Sequence, residues 1–277
     1  MSETPPSLIK WTGSKRSQAA AIDALFPTRC SGTYFEPFLG GGAMSYYGAQ
    51  RFPRVEASDL YAPLIDLWTR VKLSPETVIE QYKKDWELLQ ADFPGYFFVV
   101  RDRFNSIPNG QDLLFLSRTC VNGIIRFNKK GEFNNSIHLS RRGMKPGIFA
   151  KVVHRWSAVI KNSTYSVRDY SEILDDSNKG DFVYLDPPYV NSHNRYVQDL
   201  DLEKFLMFLD ALNSKGVKWA LSFDGSRGEK NLAYELPSEL YKFHTKITSG
   251  NSAVQKVLND SVERVEESLY LNYKPTS

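Results

Sequence analysis

Residues 181–190 read DFVYLDPPYV, a strand-forming apolar run that stops at Asp186, Pro187, Pro188 and Tyr189. An acid at a strand end followed by two prolines presents a carboxylate and a backbone carbonyl that no helical hydrogen bonding occupies. Two neighbouring acceptors suit an exocyclic amino group with two hydrogens, and the Tyr189 ring offers a face for a planar base. Prolines also simply end strands, so the motif needs partners elsewhere. Two are present. FLGGGAM at 38–44 follows the strand-like TYFE. Its consecutive glycines let a ligand approach the backbone beside a helix N-terminus with free N–H groups. Asp59 ends the next strand-like run, 19 residues after Gly40. Nucleotide-binding domains place an acid there for ribose hydroxyls. A glycine turn can equally serve tight packing, and an Asp before an apolar helix can equally be its N-cap. Together the two indicate an adenosine-type ligand across the carboxyl ends of the strands.

Such residues need a sheet to hold them. Thr33–Glu36 reads as a strand, with a helix running through Met44–Tyr47, then VEASDL as a strand and PLIDLWTRVK as a helix. This rhythm implies parallel strands with crossover helices. Strand signals return at Thr164–Val167 and Phe182–Leu185. A helix follows at 201–214, between Asp201 near its start and Gly216 past its end, and then the strand VKWALSF. ELYKFHTKITS and SVERVEESLYLNY read as closing strands. Between these halves, residues 75–117 show helical spacing punctuated by Pro94 and Pro108, which predicts two or three helices. Residues 118–150 are loop-rich. The expected organisation is one α/β domain from residues 1–74 and 160–277, with a helical, basic lobe inserted at 75–159.

Composition narrows the function. With 277 residues, 42% hydrophobic and 24% charged, the chain is an ordinary globular protein with ample core. No apolar run approaches the roughly 20 residues of a membrane span, so no membrane partner is expected. MSETPPSLIK lacks the basic and apolar regions of a secretory signal. Cys30 and Cys120 stand alone without CxxC spacing, which argues against a disulfide framework or a zinc site and for a cytoplasmic setting without metal. The net charge of +3 hides an asymmetry. Residues 118–155 hold nine Lys or Arg against one acid, Glu132, so that stretch carries +8 and the remainder −5. A charge run is often a solvated face, but one this one-sided, interleaved with Asn, Gly and Phe, marks a polyanion-binding surface.

SLIKWTGSK, YFEPFLGGGAM, ASDL and YLDPPY, in this order, resemble the D12 class of adenine-N6 DNA methyltransferases, the group that includes the Dam enzymes. VNGIIRFNKKGEFN at 121–134, LSFDGS at 221–226 and VEESLYLNYKP at 265–275 fit the same group, so the resemblance is collinear over nearly the whole chain. It implies a Rossmann-like class I methyltransferase domain, mostly parallel in its sheet, that moves a methyl group from S-adenosylmethionine to N6 of an adenine flipped out of double-stranded DNA. Trp11 and Lys15 match the motif that closes over the cofactor, with Lys15 near the methionine carboxylate. Phe38 and Gly40 match glycine-loop contacts, Asp59 the ribose-binding acid, and Asp169 and Tyr170 the contacts to the cofactor adenine. Asp186 touches both cofactor and target, and with Pro187 and Tyr189 makes up the catalytic group.

For the DNA, Lys10, Asn122, Ile124, Arg126 and Asn128 match positions that contact a GATC-type site. Arg141 and Arg142 are expected to contact phosphate or read a base, unless they are plain surface charge. Two departures stand out: Val121 where the group usually has an aromatic residue, and NNSIHLSRRGMKPG without the proline-containing stretch of close relatives. A monomer is the default for an enzyme that reads a short site with one inserted lobe, and the sequence leaves open whether a cognate restriction endonuclease is encoded alongside. Methylation of an amino group in RNA is the alternative activity, and a nucleic-acid-binding homologue without catalysis a third. Intact DPPY and glycine segments speak against the last. A nicotinamide oxidoreductase lacks its GxGxxG fingerprint and any proton-relay histidine, since His193 is expected in the DNA groove or solvent.

Overall fold

The structure, a computed structural model, describes residues 4–28, 31–188, 200–226, 235–249 and 265–275. Seven strands form its sheet: β1 (Thr33–Glu36), β2 (Arg54–Asp59), β3 (Ser163–Val167), β4 (Phe182–Leu185), β5 (Lys218–Ser226), β6 (Phe243–Ser249) and β7 (Val265–Leu271). Their order is β3-β2-β1-β4-β5-β7-β6, with β7 antiparallel to both neighbours and the other pairs parallel. β1 and β4 are buried along their whole length, as central parallel strands covered on both faces must be. Strand order reverses between β1 and β4. That reversal opens a crevice outside their carboxyl ends, where open α/β sheets bind ligands.

Side-chain alternation along the strands feeds two separate cores. Tyr34, Phe182, Tyr184 and Ala220 enter one cluster, while Phe35, Val183, Leu185, Trp219 and Leu221 enter the other. The helices are α1 (Ala19–Asp23), α2 (Ala43–Arg51), α3 (Ala62–Leu73), α4 (Pro75–Ala91), α5 (Gly95–Ser106), α6 (Gly110–Thr119), α7 (Pro146–Val159), α8 (Ile173–Asp176) and α9 (Leu202–Ser214). α9 covers the second cluster with Phe205, Phe208, Leu209 and Leu212. Asp201 caps it by accepting from the Lys204 N–H at 3.2 Å. Among the described residues no helix is long and apolar enough to cross a membrane.

The stretch 75–117 forms three helices, α4 to α6, with breaks at Asp92–Pro94 and Ile107–Asn109. The following basic stretch is irregular over residues 120–145 and then forms the 14-residue α7. Pro146 starts α7 with a fixed φ and no unmet N–H. Phe149, Val153 and Trp156 recur at helical spacing and are buried. Trp156 meets Trp68 of α3 at 4.7 Å and Tyr46 of α2 at 4.8 Å between ring centroids, so one cluster runs through the first helices and the inserted ones alike.

Gly110 makes the α3–α6 approach possible. Its N–H donates to Asp66 Oδ2 at 2.8 Å, and a Cβ there would stand 2.3 Å from the Leu67 nitrogen. Backbone cannot yield as a flexible side chain can. Gly110→Ala is therefore expected to destabilise the protein by about 1–3 kcal/mol, read as a lower urea midpoint with an unchanged m value.

Candidate active site at the strand reversal

The chain leaving β1 and the chain leaving β4 face each other across the reversal. Residues 37–42 and 186–188 line one cavity of about 1600 Å³, together with the 11–15 turn, residues 59–61, Asp169, Tyr170 and the 125–129 loop. That volume exceeds what a single drug-sized ligand needs.

Asp59 holds the glycine turn in shape. Its Oδ2 accepts from the Gly40 N–H at 3.1 Å and its Oδ1 from the Tyr61 N–H at 3.0 Å, just before α3 begins. The carboxylate thus holds the residue that precedes α3 and grips the glycine loop at once. Gly42 has φ +70° and a Cβ there would sit 2.6 Å from Trp68 Cζ2, so only glycine fits. Trp68 Nε1 donates to the Gly40 carbonyl at 3.2 Å, and the Trp11 ring lies against Gly40 from the other side. Phe38 stacks on Tyr170 with centroids 5.4 Å apart, and Tyr170 packs edge-on against Phe205 and Phe208. Asp169 lines the same wall, but its Oδ1 accepts from the Ser171 N–H at 3.0 Å and hydroxyl at 2.6 Å in a capping box with Glu172.

Asp186 is held by a buried cation. Lys15 Nζ lies 2.6 Å from Asp186 Oδ1 and 2.9 Å from Glu267 Oε1, and Lys15 and Glu267 are each only 5% exposed. Burial raises the Asp186 carboxyl to about 6; Lys15 opposes that rise and the Glu267 charge adds to it. Lys15 thus lines the same cavity while it pairs with the Asp186 carboxylate. Pro187 is buried and Pro188 half-buried beside it. Tyr189 and His193, like Cys30, lie outside the described residues.

Two acids in this site escaped the sequence reading. Glu267 occupies the inward register of β7 with Leu269 and Leu271, and a charged residue in an apolar register is the signal that could have found it. Glu36 ends β1, buried, with Oε2 accepting from the Ser45 hydroxyl at 2.6 Å and the Tyr34 hydroxyl at 3.0 Å. Burial lifts its carboxyl to about 8 against the pull of those two hydrogen bonds. Tyr184, with its hydroxyl 2.8 Å from the Ser222 hydroxyl, completes the floor.

The basic residues divide. Arg126 and Asn128 line the cavity, and Phe127 between them meets Tyr61 edge-on at 5.6 Å. Arg126 Nε donates to Asn134 Oδ1 at 3.2 Å. Asn128 spends its side chain on the loop: Oδ1 accepts from the Lys130 and Glu132 N–H groups, and Nδ2 donates to Glu132 Oε2. Asn122 sits at φ 57° in the Val121–Gly123 turn, Ile124 is exposed, and the Lys10 side chain lies against Gly123. Partial burial, then Arg118, Arg16 and Arg141, lower the Lys10 ammonium, which marks these cations as neighbours. Arg142 instead lies over the Phe93 ring at 4.1 Å. Arg118 is internal, donating to the Ser7 and Leu8 carbonyls at 2.9 and 2.6 Å, and Arg155 donates to the Tyr46 hydroxyl at 2.7 Å. The nine cations of 118–155 therefore overstate the surface charge.

Known sequences resemble this chain along most of its length. The family pattern of the D12 class N6 adenine-specific DNA methyltransferases matches residues 11–254. The type II methyltransferase M.MjaIII of Methanocaldococcus jannaschii is 31% identical over 242 residues, 77% of this chain and 82% of that protein. M1.LlaDCHI, a type II methyltransferase of Lactococcus lactis, is 27% identical over 253 residues, covering 84% and 83%. A DNA adenine methylase of Haemophilus influenzae is 28% identical over 186 residues, covering 65% and 63%.

Glu36 gives the site a measurable signature. Its folded value of about 8 lies above the ordinary 4.5, so folding takes up a proton between those pH values. The stability tied to that proton is complete below about pH 4.5 and is lost as pH rises through about 8. Glu36→Gln keeps the neutral shape at every pH. Thermal melts should show the variant several degrees more stable than the wild type above about pH 8, with the difference vanishing at about pH 4.5.

Proposed function

The chain belongs to the D12 class of N6 adenine-specific DNA methyltransferases, and from that premise we propose that its cavity brings S-adenosylmethionine against an adenine swung out of double-stranded DNA. The observation that carries this reading is the pinned Asp186 carboxylate beside Pro187 at the strand reversal, in one cavity with Asp59 and Arg126.

The donor set fits that cofactor. Each Asp59 oxygen accepts one backbone N–H and has a lone pair left for a ribose hydroxyl. The glycine turn under Trp11 leaves a shallow backbone cradle, and the Phe38–Tyr170 wall suits a flat purine. When bound, the cofactor supplies a sulfonium methyl whose carbon–sulfur bond breaks as the nitrogen–carbon bond forms, with a neutral thioether leaving and one N6 proton released. The protein's own part is orientation. The N6 lone pair of adenine is delocalised into the ring, which makes it a poor nucleophile. Hydrogen bonds from N6 to Asp186 and to the Pro187 carbonyl favour a pyramidal nitrogen with that lone pair available. An adenine inside a duplex cannot reach these acceptors, so the base is extruded, with Tyr189 as its stacking platform. Lys10, Arg126 and Arg141 contact the DNA, and the target is a GATC-type site.

Incubation with labelled S-adenosylmethionine and either duplex DNA or structured RNA, followed by sequencing of the methylated sites, tests the reading. N6-methyladenine in duplex DNA at one short motif is expected; transfer to RNA alone, or to neither, overturns it. Asp186→Ala should cut transfer by about 10³-fold or more while duplex binding persists; loss of both would make the residue merely structural. Lys10→Ala and Arg126→Ala should each reduce the slope of log affinity against log salt by about 1, measured by fluorescence anisotropy. An unchanged slope removes that residue from the phosphate contacts.

A further inference from the structure

Lys15, Asp186 and Glu267 come from three distant parts of the chain, the N-terminal turn, the end of β4 and the middle of β7, and meet in one buried cluster. Two carboxylates share one ammonium, so the cluster carries a net negative charge when all three are ionised. Lys15 occupies Oδ1 of Asp186 and leaves Oδ2 to the cavity. Glu267 does not line the cavity, so it reaches Asp186 through the lysine and through its charge. We propose that Glu267 is a positioning residue for methyl transfer: it holds the Lys15 ammonium on Asp186 Oδ1 and keeps that carboxylate a stronger hydrogen-bond acceptor for the target amine than an undivided lysine would leave it.

The electrostatics have a definite sign. An ammonium paired with Asp186 alone stabilises the ionised carboxylate and makes it a weaker acceptor. Dividing that ammonium with Glu267, whose own charge repels ionisation of Asp186, moves the carboxylate the other way. Among the described residues, the remaining groups whose charge bears on Asp186 are Tyr184 from β4, whose buried phenol is held neutral, and Glu36 from β1, raised to about 8. Neither supplies a compensating cation. Asp186, near 6, is thus ionised at neutral pH with its basicity kept up, which matches an acceptor that orients an amine and tolerates the proton it releases.

The inference rests on Asp186 being the amine's acceptor, and the rate of transfer against pH separates the two. Single-turnover rates of the full-length wild type on duplex DNA, with S-adenosylmethionine in excess, should rise through a midpoint at about pH 6. A wild type without that acidic limb overturns the role of Asp186 itself. Glu267→Gln should move the midpoint about one pH unit lower and reduce the plateau rate about tenfold, with KM for DNA changed less than about twofold. Glu267→Met removes the charge by another route, should the amide variant fail to fold. Glu267→Asp, which keeps the charge, should restore the wild-type midpoint. A midpoint that stays in place or rises in a folded charge-removing variant overturns the proposal, as does loss of folding in both, which would make Glu267 a purely structural residue.

Discussion

A partly buried carboxylate beside a buried one needs a cation within reach, and in this fold Lys15 supplies it to both. Removing water from two acids costs several kcal/mol each unless they are paired. The N-terminal turn, the end of β4 and the face of β7 must therefore converge on one ammonium. Little net stability follows from such a cluster, since apolar packing would serve as well or better. Its effect is geometric. The antiparallel β7, inserted between β5 and β6, is what carries Glu267 to the central strands, so sheet order and site chemistry are one constraint.

The rest of the cavity is built from groups with double duties. Asp59 holds the Tyr61 N–H ahead of α3 and ties down the glycine turn; Trp68 fills the core, crowds Gly42 and hydrogen-bonds Gly40. Phe127 of the basic loop packs against Tyr61, so that loop is also a wall of the cavity. Substituting any of these residues alters packing and binding together. A coupled set of this kind reads in sequence as several weak motifs and in space as one strong one.

How much was legible follows from which forces act locally. The strands could be read because apolar alternation and their Asp, Gly and Pro terminators lie within each segment, and β1, β2, β4 and α9 fall close to where the residues predict them. α7 was hidden because its buried stripe is only Phe149, Val153 and Trp156, set among Lys145, Lys151 and Arg155, and a basic stretch reads as loop before its three-dimensional neighbours are known. Asp59 could be read from its spacing to Gly40. Glu267 shows locally only as a charge in an apolar register; its partner is a lysine some 250 positions away, and nothing local marks that pairing. Arg118 misled in the opposite direction. Arg118 counts as surface charge in sequence, yet it binds backbone carbonyls in the interior; Arg142 stays exposed and lies on Phe93.

The segment from Pro6 to Lys15 shows what such an arrangement does to variation. The Pro6 carbonyl receives the Trp156 indole N–H at 2.8 Å, the Ser7 and Leu8 carbonyls receive Arg118, Lys10 abuts the Asn122 turn, Trp11 covers Gly40, and Lys15 reaches Asp186. Ten residues thus visit the inserted helices, the basic face, the glycine loop and the acidic centre in succession. With about 3.5 Å of chain per residue at most, adding or removing one residue would throw at least one of these stations out of register. Side chains along the segment can be exchanged one at a time, whereas its length cannot drift: it acts as a ruler laid between the parts of the site.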